Sequence, residues 1–583
     1  MIQVEKLSYG FPEKELYRNI SFSIEQGQHC ALIGSNGCGK STLVEMLTNP
    51  EKYWFDGKIT KDEECRTGYA GQFCVREKMQ DCTVFEYLSR RFTELQEEIA
   101  KVCEEMAHPE NDEKDMEWLF SQYQALLDRN EAMDGDNYEN VIRRQLNAAG
   151  MGALENTRLS DISGGEYKLL QIIKEMLLAP NFLVLDEPDV FLDFENLNGL
   201  RRLINGFKGT ILAVTHNRYL LNHCFDKILH LENGDLQEFD GTYSEYRCRL
   251  LRKKIELKFQ HIEEQEEIAR TEEMVEILRK RATLMVNPTI GQAVNAKQSQ
   301  LDRLLARQIK APFIEVREPH IAFPQVEAGG EPEDGENGMQ SGAHEGERKE
   351  IRTVLALTDY ELKFDEYLLR DVNFEVKEGE KAALIGANGT GKSTLIREIV
   401  KNENPAIRIA DGMNYACFSQ LGEDAWTQTA NRAAGTRTEE EDRLSGGERN
   451  LKQLEALEDS GAELLLLDEP SAHLDLYAQS ALEKAVKEYR GTVFMVTHDF
   501  YLAANCADYV LLIEDNTVRR IRSRNFRKMV YDKYFDSSYL EADRKCQQVE
   551  AGIMEAFRRD DLAAADRLCS ELEDLCKSGT VNE

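Results

Sequence analysis

No stretch of this 583-residue chain approaches roughly 18 consecutive uncharged apolar residues, so no segment reads as a membrane span. Its 13 cysteines include no C-x-x-C pair, which argues against a zinc site or a disulfide framework. Free thiols of that kind point to a cytoplasmic protein. Met1-Ile2-Gln3-Val4-Glu5 has neither the basic start nor the apolar core of a signal peptide, and points the same way. Positive charge is scarce: 72 Lys and Arg face 106 Asp and Glu, a net charge of −34. Taken as an average, that argues against a nucleic-acid partner. What is present is 42% apolar and 31% charged residues, in a chain long enough for several domains with cores of their own.

The most informative stretch is Gly34-Ser35-Asn36-Gly37-Cys38-Gly39-Lys40-Ser41, after the apolar run Ala31-Leu32-Ile33 and before Thr42-Leu43-Val44-Glu45-Met46-Leu47. A strand, a glycine loop and a helix in that order predict a phosphate-binding loop. The glycines let successive N–H groups point at phosphate oxygens, and the helix N-terminus adds a favourable dipole. Lys40 would reach the outer phosphates, and the Ser41 hydroxyl suits Mg²⁺. The pattern recurs as Gly386-Ala387-Asn388-Gly389-Thr390-Gly391-Lys392-Ser393-Thr394, again after an apolar run, Ala383-Leu384-Ile385. Two nucleotide sites are expected.

The rest of the chain repeats with the loops. Gly34 and Gly386 are 352 positions apart, and Gln72 and Gln420 are 348 apart. Ser163-Gly164-Gly165-Glu166 matches Ser445-Gly446-Gly447-Glu448 at a spacing of 282, as do Asp186 with Asp468 and His216 with His498. The chain is a tandem duplication whose second copy is 66 residues shorter (348 − 282) between its glutamine and its Ser-Gly-Gly segment. Residues 83–160 read as helical, with Phe85, Leu88, Phe92 and Leu95 at helical spacing; only the short polar stretch 422–443 fills that place in the second copy. Apolar runs such as Phe182-Leu183-Val184-Leu185 and Leu464-Leu465-Leu466-Leu467 fit buried parallel strands.

Each of those runs ends in Asp-Glu. Asp186 or Asp468 is placed to hold Mg²⁺, and Glu187 or Glu469 to polarise an attacking water. His216 and His498 each follow a β-like run, Thr210–Val214 and Thr492–Val496, where a side chain can hydrogen-bond the terminal phosphate.

Between the copies, residues 244–310 hold no glycine or proline before Pro288 and Gly291. The reading is a long helix to about Met285, a turn at Asn287-Pro288-Thr289, and a returning helix striped by Ile290, Val294, Leu301, Leu304, Leu305 and Ile309. The distal part, 277–310, holds Arg279, Lys280, Arg281, Lys297, Arg303, Arg307 and Lys310 against Asp302 alone. A bare solvated surface is the plain alternative for such a run. Residues 313–350 read as an acidic flexible tether, with Glu331, Glu333, Asp334 and Glu336 among glycines. The tail from 536 to 583 reads as helical, with Leu562, Leu568, Leu572 and Leu575 able to share a face.

This ordered set resembles the ATP-binding cassette superfamily in both copies. The resemblance implies an α/β fold: tandem phosphate-loop cassettes at 1–243 and 351–535, a helical-hairpin linker at 244–312, the tether, and the short helical tail. It implies that Ser163, Gly164 and Gly165 cap the nucleotide held by the other copy, as Ser445, Gly446 and Gly447 do in return. It makes Gln72 and Gln420 further ligands of nucleotide and metal, beside Ser41, Asp186, Ser393 and Asp468. Leu192-Asp193 and Leu474-Asp475 look like the loops linking the sites. An aromatic should stack on adenine, Tyr9 or Phe11 in the first copy and Phe364 in the second. The functional unit would be a monomer, its two cassettes paired intramolecularly around ATP.

Two cassettes, no membrane span and a basic hairpin between them look like the ABC-F family, over about residues 1–535. In that family the hairpin enters the ribosome and touches rRNA, P-site tRNA and the peptidyl-transferase region, in translation factors and in antibiotic-resistance proteins. A transporter's ATPase subunit is the main alternative, though a basic hairpin has no role there. A chromosome or repair ATPase would carry its coiled coil inside one cassette. The chain departs from the family pattern at Ile162, at Asp189-Val190-Phe191 before Leu192, at Asn217 where the second copy has Asp499, and in the shortened second helical region. Both glutamates are present, so hydrolysis at two unequal sites is expected.

Overall fold

The computed structural model describes residues 2–11, 14–62, 64–71, 82–107, 113–190, 192–284, 288–307, 319–324, 352–364, 367–419, 446–534, 537–559 and 561–579. Two compact units emerge, Met1–Asp240 with Glu318–Tyr534, and Gly241–Arg317 with Phe535–Glu583.

The first unit is built on the apolar runs. Phe182–Asp186, Thr210–Val214, Leu464–Asp468 and Thr492–Val496 are buried at every position, as strands covered on both faces must be. In the first copy six strands lie in the order Thr67–Ala70, Phe182–Asp186, Thr210–Val214, His29–Ile33, Lys227–Glu232 and Asp235–Asp240. All pairs are parallel except the last, a hairpin. The second copy repeats the order with Tyr415–Phe418, Leu464–Asp468, Thr492–Val496, Lys381–Ile385, Tyr509–Glu514 and Thr517–Arg522.

A smaller antiparallel sheet flanks each, Lys14–Ile24, Ile2–Phe11 and Asp56–Lys61 in the first copy and Tyr367–Lys377, Thr353–Lys363 and Ile407–Ile409 in the second. In the first copy Ile2, Val4, Leu7, Ile20 and Phe22 from this sheet share a core with Leu43, Val44, Met46 and Leu47 of the helix Lys40–Thr48 and with Leu32 and Val214 of the parallel sheet. The loop helix is thus wedged between two sheets, which fixes where its N-terminus points.

Residues 83–160 supply the helices Val84–Met106, Glu113–Ala132 and Tyr138–Ala149. Thr83 and Glu86 form a reciprocal cap at the first of them. Leu88, Phe92 and Leu95 are buried, with Phe92 stacked on Tyr138 at 5.2 Å. Phe85 is half-buried beneath the Arg143 guanidinium. The corresponding stretch of the second copy, 420–445, lies outside the described residues.

The tether expected over 313–350 is corrected at its start. Residues 319–324 lie on the second copy, with Ile321 and Phe323 buried and the Phe323 ring 5.8 Å from Tyr489. The acidic composition that follows hid two apolar side chains bracketed by Pro319 and Pro324.

The second unit contains the helices Tyr243–Leu284 and Pro288–Arg307, joined by residues outside the description. Pro288 and Thr289 open the returning helix rather than forming the turn, because proline suits a first helical position that needs no N–H donor. At 42 residues the long helix is about 63 Å, twice the length of its 20-residue partner, which covers only the distal part. There Ile268, Thr271, Val275 and Leu301 are buried. The proximal part is covered by the tail helices Ser537–Arg558 and Leu562–Gly579: Cys248 and Ile255 pack with Ile553, Ala565, Cys569 and Leu572. Arg252 is 2.7 Å from Glu573 and donates to Ser570 at 3.1 Å, and Arg247 is 3.1 Å from Glu550. Hairpin and tail, separate in the sequence reading, form one body.

Candidate functional site

Strand register brings the candidate residues together. In the first copy Leu32, Val214 and Asp186 lie side by side on neighbouring parallel strands. The loop beginning at Gly34, His216 and Glu187 therefore leave the sheet at one level, at the strands' carboxyl ends. Leu384, Val496 and Asp468 are aligned in the same way in the second copy, ahead of Gly386, His498 and Glu469.

Each loop turns into its helix through a left-handed glycine, Gly39 at φ 104° and Gly391 at φ 90°. The Tyr17 hydroxyl donates to the Gly39 carbonyl at 2.6 Å and fills the space a side chain there would need. Lys40 Nζ donates to the carbonyls of Gly34 and Ser35 at 3.0 and 2.9 Å, and Lys392 to those of Gly386 and Ala387 at 2.9 and 2.7 Å. Both ammonium groups are thereby held over their loops.

Ser41 Oγ lies 3.5 Å from Asp186 Oδ1, and Ser393 Oγ 3.2 Å from Asp468 Oδ1. Burial, reinforced by the charge of Glu187, pushes Asp186 up to about 6, and burial also raises Asp468. A hydroxyl facing a carboxylate that burial makes costly to ionise is a donor set that fits Mg²⁺, a hard cation taking oxygen ligands. Among the described residues no cluster of three or more His, Cys, Asp or Glu offers an alternative cation site. Gln72 and Gln420 lie outside the described residues.

Glu187 and Glu469 have left-handed backbones, φ 46° and 51°, a conformation costing about 1–3 kcal/mol for a residue with a side chain. The cost is met by anchored amides: Glu187 N–H donates to Val214 and Glu469 N–H to Val496, each at 2.9 Å. The turn swings each carboxylate away from the direction of its strand.

There the copies diverge. Glu469 Oε2 accepts the His498 backbone N–H at 3.1 Å, and its Oε1 is 3.5 Å from that ring's Nε2. Burial pushes Glu469 up to about 8; burial, with Lys392 acting the same way, lowers His498 to about 3. In the first copy His216 is buried and held well below its ordinary value, and neither ring nitrogen has a hydrogen-bond partner among the described residues. Glu187 instead approaches a histidine of the second copy, with His473 Nδ1 at 3.6 Å.

Contacts between the copies centre on two aspartates. One oxygen of Asp475 caps its own helix at Tyr477 and Ala478, while the other accepts the Asn36 backbone N–H at 2.9 Å. Asp193 caps at Asn196 and accepts the Asn388 N–H at 3.0 Å. Each aspartate ties a helix of one copy to the phosphate loop of the other. Asn36 also donates through its side chain to the His473 carbonyl at 2.9 Å, and a Cβ on Gly447 would overlap both groups. Gly446 borders the His473 ring, and Ser445 lies outside the described residues.

A cavity of about 560 Å³ places Gly164 and Gly165 opposite Gly389, Lys392, Ser393 and Thr394, with Glu469 and His498 on its wall. Ser163 opens the helix behind Gly164 with a reciprocal cap, Oγ to Glu166 N–H at 3.2 Å and Glu166 Oε2 to Ser163 N–H at 2.7 Å.

Of the aromatic candidates, Tyr9 sits among Phe11, Tyr17 and Tyr53 at 5.6–6.3 Å, Phe11 is exposed, and Phe364 is 64% exposed. Sequence reading missed His473 as a site residue. Its signal was Ser471-Ala472-His473 before Leu474-Asp475, closer to the family pattern than Asp189-Val190-Phe191 before Leu192-Asp193.

A family described as ABC transporter matches residues 17–190 and 369–415, and a second family of the same description matches residues 229–323. The uncharacterized ABC transporter ATP-binding protein YfmM of Bacillus subtilis is 28% identical, over 86% of this chain and 96% of that protein. The energy-dependent translational throttle protein EttA of Escherichia coli is 26% identical, over 90% of this chain and 93% of that protein. Among solved structures, an archaeal ribosome recycling factor, aABCE1, in complex with a ribosomal stalk protein shares the fold at a TM-score of 0.50 and 15% identity, covering 91% of this chain and 92% of that one.

Proposed function

From a chain that belongs to the ATP-binding cassette proteins, in their tandem-cassette ABC-F form, and that is an ATPase, we propose a factor that works on the ribosome. The observation carrying this reading is the distal hairpin, seven basic residues against one acidic in a chain of net charge −34. Dense phosphate on rRNA and tRNA would attract that tip, while the acidic body would be repelled from non-specific RNA. Among similar proteins, EttA is named for throttling translation with an energy requirement.

The chemistry assigned to each site uses the residues gathered above. Loop N–H groups with Lys40 or Lys392 hold phosphate. Glu187 and Glu469 orient the attacking water and take its proton, and His216 and His498 contact the terminal phosphate. Mg²⁺, held by Ser41 with Asp186 and by Ser393 with Asp468, and with Gln72 and Gln420 proposed as further ligands, would neutralise phosphate charge. Ser163, Gly164 and Gly165 cap the second loop's nucleotide, and Ser445, Gly446 and Gly447 the first's.

The hairpin continues from the first cassette after Asp240, and the chain reaches the second cassette's surface again at Pro319. Closure around two ATP molecules would then select one hairpin pose near P-site tRNA and the peptidyl-transferase region, and hydrolysis would release it. A translation factor and a ribosome-protecting resistance protein would use the same step.

Glu187→Gln with Glu469→Gln should bind ATP, lose nearly all turnover, and sediment with ribosomes in ATP. Adding Arg279→Ala, Lys280→Ala, Arg281→Ala and Lys297→Ala should weaken that association and flatten its salt dependence by about four in log–log slope. A double variant that sediments free of ribosomes in saturating ATP would overturn the ribosomal reading and favour a transporter motor.

A further inference from the structure

At the inter-cassette surface a guanidinium crosses to the second site, and among the described residues the corresponding position of the second cassette holds Phe500. Arg218, two residues after His216, reaches from the first cassette and places Nη2 2.8 Å from Glu483 Oε1 of the second. Its guanidinium carbon is 5.4 Å from the centre of the Tyr501 ring. Both ends of the ion pair are largely buried, with side chains 13% and 11% exposed.

Glu483 does not face the cation alone. Asp499, half-buried, adjoins His498 and caps the helix Phe500–Cys506 by accepting the N–H groups of Tyr501 and Leu502 at 2.9 and 3.2 Å. Burial raises its proton affinity, Arg218 acts against that, and Glu483 adds to it. Two acidic groups, Glu483 and Asp499, thus act on one another and on Arg218, with Asp499 next in the chain to His498. Lys487, one turn along from Glu483 at 3.9 Å, is half exposed and too weakly placed to balance both. A buried acid deprived of its partner cation protonates or moves.

The same positions in the other direction carry different chemistry. At the 282-residue spacing Arg218 corresponds to Phe500, Glu483 to Arg201, and Asp499 to Asn217. Phe500 packs near Phe194, their ring centres 6.1 Å apart, and Arg201 bonds Asn198 at 3.1 Å within its own cassette. Asn217 caps its helix at Tyr219 and Leu220 as a neutral side chain and calls for no cation. The replacement of aspartate by asparagine in the first copy thus belongs to a one-way device.

We infer that Arg218 is a positioning residue for the second nucleotide site: it pairs with Glu483 beside Asp499, and so fixes His498 and the Glu469 carboxylate bonded to it. Hydrolysis at the second site thereby requires the first cassette to be seated through Arg218, whereas Phe500, at the corresponding position of the second cassette, supplies no guanidinium to the first site. The inference rests on Glu187 and Glu469 being the residues that activate water.

Single-glutamine variants separate the sites in the full-length chain. With Glu187→Gln, only the second site turns over, and adding Arg218→Ala should lower kcat by about tenfold or more, since small misplacements of a reacting group carry losses of that order. With Glu469→Gln, only the first site works, and Arg218→Ala should change kcat by less than roughly threefold. If charge is the cause, adding Glu483→Gln to Arg218→Ala should recover much of the second-site loss, because the unpaired carboxylate is gone. Arg218→Lys should retain more activity than Arg218→Ala. An unchanged second site, equal losses in both backgrounds, or no recovery with Glu483→Gln would overturn the inference. Should Arg218→Ala fail to fold, the comparison of Arg218→Lys with Arg218→Lys/Glu483→Gln in the two backgrounds decides on the same terms. Failure of the glutamate assignment is seen separately, as turnover surviving in Glu187→Gln/Glu469→Gln without Arg218 being touched.

Discussion

In the second cassette Glu469 meets a histidine of its own copy. In the first, Glu187 meets His473, which the other cassette supplies, while the histidine of its own copy, His216, lies buried without a hydrogen-bond partner among the described residues. The backbones leading to these sites have the same strand order and register. Duplication therefore preserved the scaffold while the source of the glutamate's neighbour changed. One site is assembled internally and steadied from across the interface by Arg218. In the other, the glutamate meets a histidine that the partner cassette supplies.

The comparison breaks most readily at His473. His473→Ala should lower first-site turnover, read in the Glu469→Gln background, by about tenfold, a loss typical of a displaced catalytic neighbour. Second-site turnover, read with Glu187→Gln, should fall much less. Equal losses would show that His473 merely holds the interface together, since Asn36 also bonds its carbonyl.

A smaller effect concerns pH. Burial pushes Glu469 up to about 8 in the folded chain from an ordinary 4.5, so between those values the folded state binds more protons than the unfolded one. Its contribution to stability is present below about pH 4.5 and lost as pH rises towards 8. Glu469→Gln should consequently raise the melting temperature of the nucleotide-free protein at pH 8, with the gain shrinking towards pH 5. Thermal melts across that range check this, and a difference independent of pH would contradict the burial of the charge.

Much of this architecture was legible in the sequence because it is local. A glycine loop between an apolar run and a helix, or Asp-Glu ending a strand, is written in consecutive residues, and the 282-residue repeat copied the reading to the second half. Three kinds of feature were not legible. His473 beside Glu187 and Arg218 beside Glu483 join residues more than 250 positions apart, so no periodicity announces them. The left-handed backbones at Glu187 and Glu469 follow from where the strand must release its carboxylate, and glutamate carries no propensity that signals this. Ile321 and Phe323 were masked by the acidic composition of the stretch beyond them. Likewise, the leucines of the tail signalled an apolar face, but only the fold shows that Cys248 and Ile255 cover it.

The inequality of the two sites is tested most directly by steady-state ATP hydrolysis of Glu187→Gln and Glu469→Gln, measured side by side with the double variant as baseline. The account predicts that Glu187→Gln, which keeps the internally assembled second site, retains the greater share of wild-type turnover. Equal residual rates, or the reverse order, would contradict it.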